Sequence, residues 1–213
     1  MVENIATGLP AVGKFGWKSQ IATLFDFSGE ALLNEMGITN PFFPYKNAPG
    51  GDPSELDFNP VKELNADISV VRKIANFQTL LAPPPRGPID ADVRKGEGIF
   101  DSIGCAACHV KTLKAGYSPV SALSNKVYPY SDFLLHDVGT GDGIVQEEAQ
   151  GNEIRTAPLW GLRKITTFLH DGSKTSIEDA INAHGGQAAG AQQRFQNLSA
   201  AKKAKLMDFL LSL

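Results

Sequence analysis

The chain has 213 residues, 42% of them hydrophobic and 20% charged, with a formal net charge of -3. This is ordinary for a globular protein of one large or two small domains. The slight acidity excludes the basic footprint of a nucleic-acid binder, and no apolar run reaches the roughly 18 residues of a bilayer span.

Met1 to Ile5 shows neither a basic nor an apolar leader region. Residues 1 to about 60 are rich in Gly, Pro, Asn and Phe, with turn signals at Asn40-Pro41, Pro49-Gly50-Gly51 and Asn59-Pro60, and only 19–36 reads as helical there. From Asn65 to Leu81 the apolar residues Ile68, Val71, Ile74, Ala75, Leu80 and Leu81 recur at helical spacing, and Pro83-Pro84-Pro85 ends the run. The Pro-rich stretch Ala82–Pro88 marks a domain boundary, giving expected segments 1–88 and 89–213.

The second segment opens on Asp90, a candidate N-cap, followed by Val93, Gly96, Ile99, Phe100 and Ile103. Residues 111–160 are loop-rich. Ser176–His184 and about 199–213 then read as helices, the last with Leu206, Phe209, Leu210 and Leu213 on one face. With no strand ladder and no repeat, the expected class is mainly α.

Both cysteines fall in Cys105-Ala106-Ala107-Cys108-His109, the C-x-x-C-H pattern of c-type haem attachment. Two thiols three positions apart reach the two vinyl groups of one porphyrin, and the next residue offers an imidazole to the iron. A thioredoxin-like pair would need a βαβ context, and a zinc site a second ligand pair. Neither is present, so one covalent haem c with His109 as an iron ligand is expected.

Candidates for the second axial position are His136, His170, His184, Met36 and Met207. Ser176 and Asp179 resemble a capping box, and Ile177, Ile181 and His184 follow at i, i+4 and i+7, so His184 shares the face of the core isoleucines. A histidine capping the helix end before Gly185-Gly186 is the plainer alternative. His170, in the turn Leu169-His170-Asp171-Gly172, is the second choice. His136 suits an orienting hydrogen bond, and Met207 suits core filling. The acidic loop Asp142–Glu153 offers oxygen ligands for calcium but fits no known loop motif.

Several stretches together resemble the di-haem cytochrome c peroxidase superfamily, and most closely its di-haem thiol oxidoreductase branch. They are Gly13–Gln20, Asn34–Thr39, Gly104–Val110, Arg155–Leu162 and Leu169–Gly185, spread over nearly the whole chain. The resemblance implies a class I cytochrome c-like haem domain behind a loop-rich, partly helical N-terminal segment. That segment would be a remnant or extension of a first, peroxidatic-type domain. It implies a distal ligand after the segment Ser176–Ile181, which here is followed by His184. It also implies that Arg155 pairs with haem propionates, with a surface arginine as the plain alternative. Trp160 would lie against the porphyrin or between redox partners, or simply in the core. Glu35 resembles the acidic residue that serves peroxide cleavage beside the first haem, with a surface carboxylate equally compatible. The departure is the single C-x-x-C-H, which leaves no attachment site for a first haem.

The expected function is therefore a c-type electron-transfer module with His/His ligation. Its partner would be a redox protein or a missing first haem domain. Because haem is attached in this way outside the cytoplasm, a periplasmic or other extracytoplasmic location is expected, with any leader removed upstream. The alternative is a mono-haem peroxidase whose open or labile site uses His170 or Glu35 as proton shuttle. An apo module that never receives haem is the third reading.

Overall fold

A computed structural model of the chain describes residues 1–58 and 60–213. Contacts divide it into two compact units, Met1–Ala82 and Pro83–Leu213. It is mainly α, with only short two-stranded pairings.

In the first unit, β1 (Val2–Asn4) and β2 (Leu9–Ala11) form an antiparallel hairpin with Val2 opposite Ala11. Helix α1 (Leu24–Met36) starts at Thr23, whose hydroxyl accepts from Asp26 N at 3.1 Å. It ends where Gly37 turns left-handed (φ 67°), so that Gly37 N donates to Leu33 O and Ile38 N to Leu32 O. The helical reading of 19–36 began too early, because Ser19 sits at φ 53° and Phe15 bridges Ile21. Helix α2 (Ile68–Thr79) is capped by Asp67, which accepts from Ser69 N at 2.7 Å. It buries Val71 and Ala75 and packs against α1, while Leu80 and Leu81 beyond it are exposed. The turn expected at Asn40-Pro41 is present, with Asn40 and Phe43 exchanging both backbone hydrogen bonds. That at Asn59-Pro60 falls on Asn59, outside the described residues.

The second unit starts six residues before the expected boundary at 88, since the first unit ends at Ala82. The Pro-rich stretch is tied to the chain end: Gly87 N donates to Ser212 O at 2.8 Å and Arg86 Nη2 to Ser212 Oγ at 2.7 Å. Arg163 Nη2 also donates to Pro85 O. Helix α3 (Ala91–Ser102) begins at Asp90, whose carboxylate accepts from Asp92 N and Val93 N, both at 2.9 Å.

The segment 111–160 holds β3 (Leu113–Lys114) paired with β4 (Lys126–Val127), and β5 (Leu135–His136) paired with β6 (Ile154–Arg155). Helix α4 (Ile177–Asn182) follows the Ser176 cap, where Asp179 N donates to Ser176 Oγ at 3.0 Å. Asp179 closes this cap by accepting from the Ser176 hydroxyl rather than from its backbone. Helix α5 (Ala189–Gln196), not expected from the sequence, sits on one deep anchor, Phe195.

Helix α6 (Ala200–Leu210) crosses α3, and together they supply most of the core: Val93, Phe100, Ile103, Leu206, Phe209 and Leu210. Gly96 permits that crossing, because a Cβ there would lie 2.0 Å from Lys205 O. Among the described residues no helix is long and apolar enough to cross a membrane.

Candidate haem-binding site

The attachment motif is presented by the end of α3. Ile103 closes the helix, and Gly104 reverses the chain at φ 92°. A tight turn over Cys105–Ala107 then brings Cys108 N and His109 N onto Cys105 O, the second at 3.0 Å. Arg194, from α5, donates through Nε to Ile103 O at 2.8 Å, and its guanidinium occupies the space that a side chain at 104 would need. Thus α5 braces the entry to the motif.

Both cysteines are free and half-buried. Burial pushes the Cys105 thiol up to about 11 against the opposing pull of Arg194. Burial, with Asp132 adding to it, also raises Cys108. Thiols held in the protonated form are unlike the low-pKa pair of a dithiol oxidoreductase. They suit a site whose sulfurs are to be capped.

His109 packs its ring 6.2 Å from that of Phe100 and faces the main-chain carbonyl of Tyr130, Nδ1 to O 2.9 Å. A carbonyl only accepts, so Nδ1 carries the proton and Nε2 keeps its lone pair. Burial, with the nearby His184 adding to it and the hydrogen bond to Tyr130 opposing, pushes the His109 pKa down to about 4. The ring is neutral at pH 7, as a metal ligand must be.

His184 is held in the same way. It follows α4, and Nδ1 lies 2.7 Å from Ala180 O, one turn back, so its Nε2 is again the free donor. Ile177 and Ile181 of that helix pack on the core. The turn after His184 is locked to a neighbouring strand end: Gly185 N donates to Val138 O at 2.6 Å and Gln187 N to Asp137 O at 2.9 Å.

The other named residues take different places. His136 engages both ring nitrogens, Nδ1 with Gln187 Oε1 (3.0 Å) and Nε2 with Asp132 Oδ2 (2.8 Å). His170 sits in the turn where Leu169 is left-handed (φ 67°), its Nε2 3.9 Å from Asp142 Oδ2. It lines a cleft of about 350 Å³ that Ala183, next to His184, also borders. Arg155, on β6, stacks its guanidinium 5.6 Å from the Phe133 ring, and burial lowers its pKa. Phe133 in turn lies 6.2 Å from Trp160, which is half-buried. Glu35 is exposed in the last turn of α1, in the first unit. Met36 is exposed, while Met207 packs against the core.

In the acidic loop, Asp142 Oδ1 accepts from Ile144 N and Glu153 Oε2 from Gln150 N. Among the described residues the group whose ligand atoms converge is instead Cys108, Asp132 and His136. The residues unforeseen from sequence are Tyr130, Arg194, Asp132 and Gln187. The first acts through a backbone carbonyl, which leaves no side-chain signature.

The donor set fits a c-type haem. Two thiols three residues apart and two imidazoles whose Nδ1 each faces a main-chain carbonyl, with Phe100 packed beside His109 and Ile177 and Ile181 on the core, are a donor set of the kind such a group requires. Across residues 6–213 the chain matches the family described as "Di-haem oxidoreductase, putative peroxidase". No curated protein matches it.

Among solved structures, it is similar to a MauG-like protein associated with microbial copper homeostasis, at 18% identity and TM-score 0.54, covering 97% of this chain and 72% of that one. Hydrazine synthase of Kuenenia stuttgartiensis, pressurized with xenon, matches at 20% identity and TM-score 0.44, covering 76% of this chain and 56% of that one. This chain therefore spans little more than half the length of the hydrazine synthase chain. At such identities the likeness to the MauG-like protein is one of fold. The family match, with the attachment motif it contains, carries the assignment: the chain belongs to the di-haem oxidoreductase family of haem redox proteins.

Proposed function

We propose that the chain is a c-type electron-transfer module of a di-haem oxidoreductase-like protein. Cys105 and Cys108 would hold one haem c covalently, and His109 and His184 would supply the axial nitrogens. The observation that carries this reading is that both histidines have Nδ1 committed to a main-chain carbonyl, Tyr130 O and Ala180 O, which turns both Nε2 atoms to a ligand role. When bound, the haem supplies a one-electron couple, and two strong nitrogen ligands favour its ferric form. The chain's own part is to hold: Tyr130 and Ala180 orient the two rings through their main-chain carbonyls.

The first unit fits a remnant or extension of the family's first domain. A redox partner protein, or a first haem domain on another chain, would exchange electrons with this one. Covalent attachment implies an extracytoplasmic site of maturation.

The test is the visible and electron paramagnetic resonance spectrum of the ferric protein before and after His184→Ala, with intact mass to count covalent haem. A low-spin signal that becomes high-spin in the variant is expected. A high-spin wild type overturns the two-histidine reading. It would favour instead a mono-haem peroxidase, for which the cleft joining His170, Asp142 and Ala183 beside His184 offers a polar approach. Peroxide turnover by this chain alone would then follow. Within the second unit, His170, which borders that cleft, would serve as the proton shuttle.

A further inference from the structure

Tyr130 is 2% exposed, yet its backbone is left-handed at φ 50°, a conformation that a bulky residue keeps only where its surroundings impose it. What imposes it is visible on every side. Its ring is wedged between Phe100 and Phe209, with centroids 6.2 and 5.5 Å away. Its hydroxyl donates to Glu97 Oε1 at 3.0 Å and accepts from Arg86 Nη1 at 3.3 Å. Arg86 is itself fixed by Ser212 Oγ and stacks over the rings of Tyr130 and Phe209. Lys111 pairs with Glu97. The following backbone is pinned as well: Ser131 N donates to Val110 O and Asp132 N to Cys108 O. The outcome of all this anchoring is the placement of one atom, the Tyr130 carbonyl oxygen on His109 Nδ1.

We infer that the Arg86–Tyr130–Glu97 network is a positioning device for His109, linking the Pro-rich segment that opens the second unit to the hydrogen bond that tunes the iron ligand. The inference rests on the haem reading above. A carbonyl drawing on Nδ1–H makes the imidazole a stronger donor through Nε2, and a stronger donor favours the ferric state. If the side-chain anchors loosen, the carbonyl drifts, donation weakens and the reduction potential rises. Arg86, Tyr130 and Glu97 are not ligands, and their hydrogen bonds converge on Tyr130, whose carbonyl meets His109.

Two substitutions conserve net charge and thus separate position from field. Tyr130→Phe keeps the ring and removes the hydroxyl; Arg86→Lys keeps the cation but lacks the planar fork that spans the Tyr130 hydroxyl and Ser212. Both would be made in the haem-loaded full chain and followed by spectroelectrochemistry and ferric electron paramagnetic resonance, readouts that general destabilisation does not move. Lys205→Ala, which breaks the ion pair with Asp92 between α3 and α6, is the structural control. At fixed potential the ferric-to-ferrous ratio should fall about threefold in each variant, an upward midpoint shift of about 30 mV. The spread of g-values should change with it, and Lys205→Ala should leave both readouts where they were. If either folded variant keeps the wild-type midpoint and g-values, or if the control shifts as far, the inference is overturned. A high-spin wild type would sink the two-histidine reading but not this comparison, since His109 is the ligand in either case.

Discussion

Replacing Gly96 by alanine tests whether the α3–α6 crossing is set by backbone contact. The new Cβ would lie 2.0 Å from Lys205 O and 2.7 Å from Phe209 Cβ. The first neighbour is main chain, so no rotamer change relieves it, and recovering a contact of about 3.5 Å requires α6 to retreat by about 1.5 Å. Overpacking of this kind costs about 1–3 kcal/mol. Drawing Leu206, Phe209 and Leu210 away from Val93 and Phe100 adds about 1–2 kcal/mol of lost burial, and the better helix propensity of alanine returns about 1 kcal/mol. The net expectation is a loss of about 1–4 kcal/mol in urea unfolding followed by far-ultraviolet circular dichroism. Gly98 is the internal control. It lies two residues on in the same helix, is exposed, and has nothing within 4 Å of a Cβ. Gly98→Ala should gain about 0.5–1 kcal/mol from propensity alone. A Gly96→Ala protein within about 0.5 kcal/mol of wild type, or a Gly98→Ala protein destabilised to the same degree, would refute the crossing geometry.

Other consequences follow from the same site. In protein prepared without haem, iodoacetamide at about pH 8 should label the less buried Cys108 before Cys105, whose thiol is raised to about 11. Peptide mapping that finds Cys105 modified first would contradict the packing described for the motif. Glu97 offers a pH test. Burial pushes its carboxyl up, but hydrogen bonds from Lys111 and Tyr130 outweigh that and hold it below the usual 4.5. A lowered folded pKa means stability that is fully present above about 4.5 and is lost as pH falls through the folded value. Thermal midpoints measured down from neutral pH should therefore drop in acid more gently for Glu97→Gln than for wild type. Equal slopes would show that Glu97 is not held ionised by its partners.

Much of the haem module was legible without coordinates, because its signals are local. The Cys105–His109 motif has a mechanical spacing, Asp90 and Ser176 are side chains that cap helices, and Leu206, Phe209, Leu210 and Leu213 repeat on one helical face. The Ile177 and Ile181 face of α4 was readable from its helical register, and both residues pack on the core. Helix α5 escaped notice, since Gly190 and a run of polar residues leave Phe195 as its one deep apolar anchor.

What tertiary structure decided is of a different kind. The Pro-rich stretch reads as a linker by composition, yet Arg86 and Gly87 spend their hydrogen bonds on Ser212 and belong to the second unit. The proximal partner of His109 is a main-chain oxygen, and every residue type carries one, so no pattern of side chains distinguishes Tyr130. Its left-handed backbone runs against local preference and persists because Glu97, Arg86, Phe100 and Phe209 converge on it from distant parts of the chain. Local propensity determined most of the helical segments and the attachment motif; long-range packing determined where a single carbonyl points.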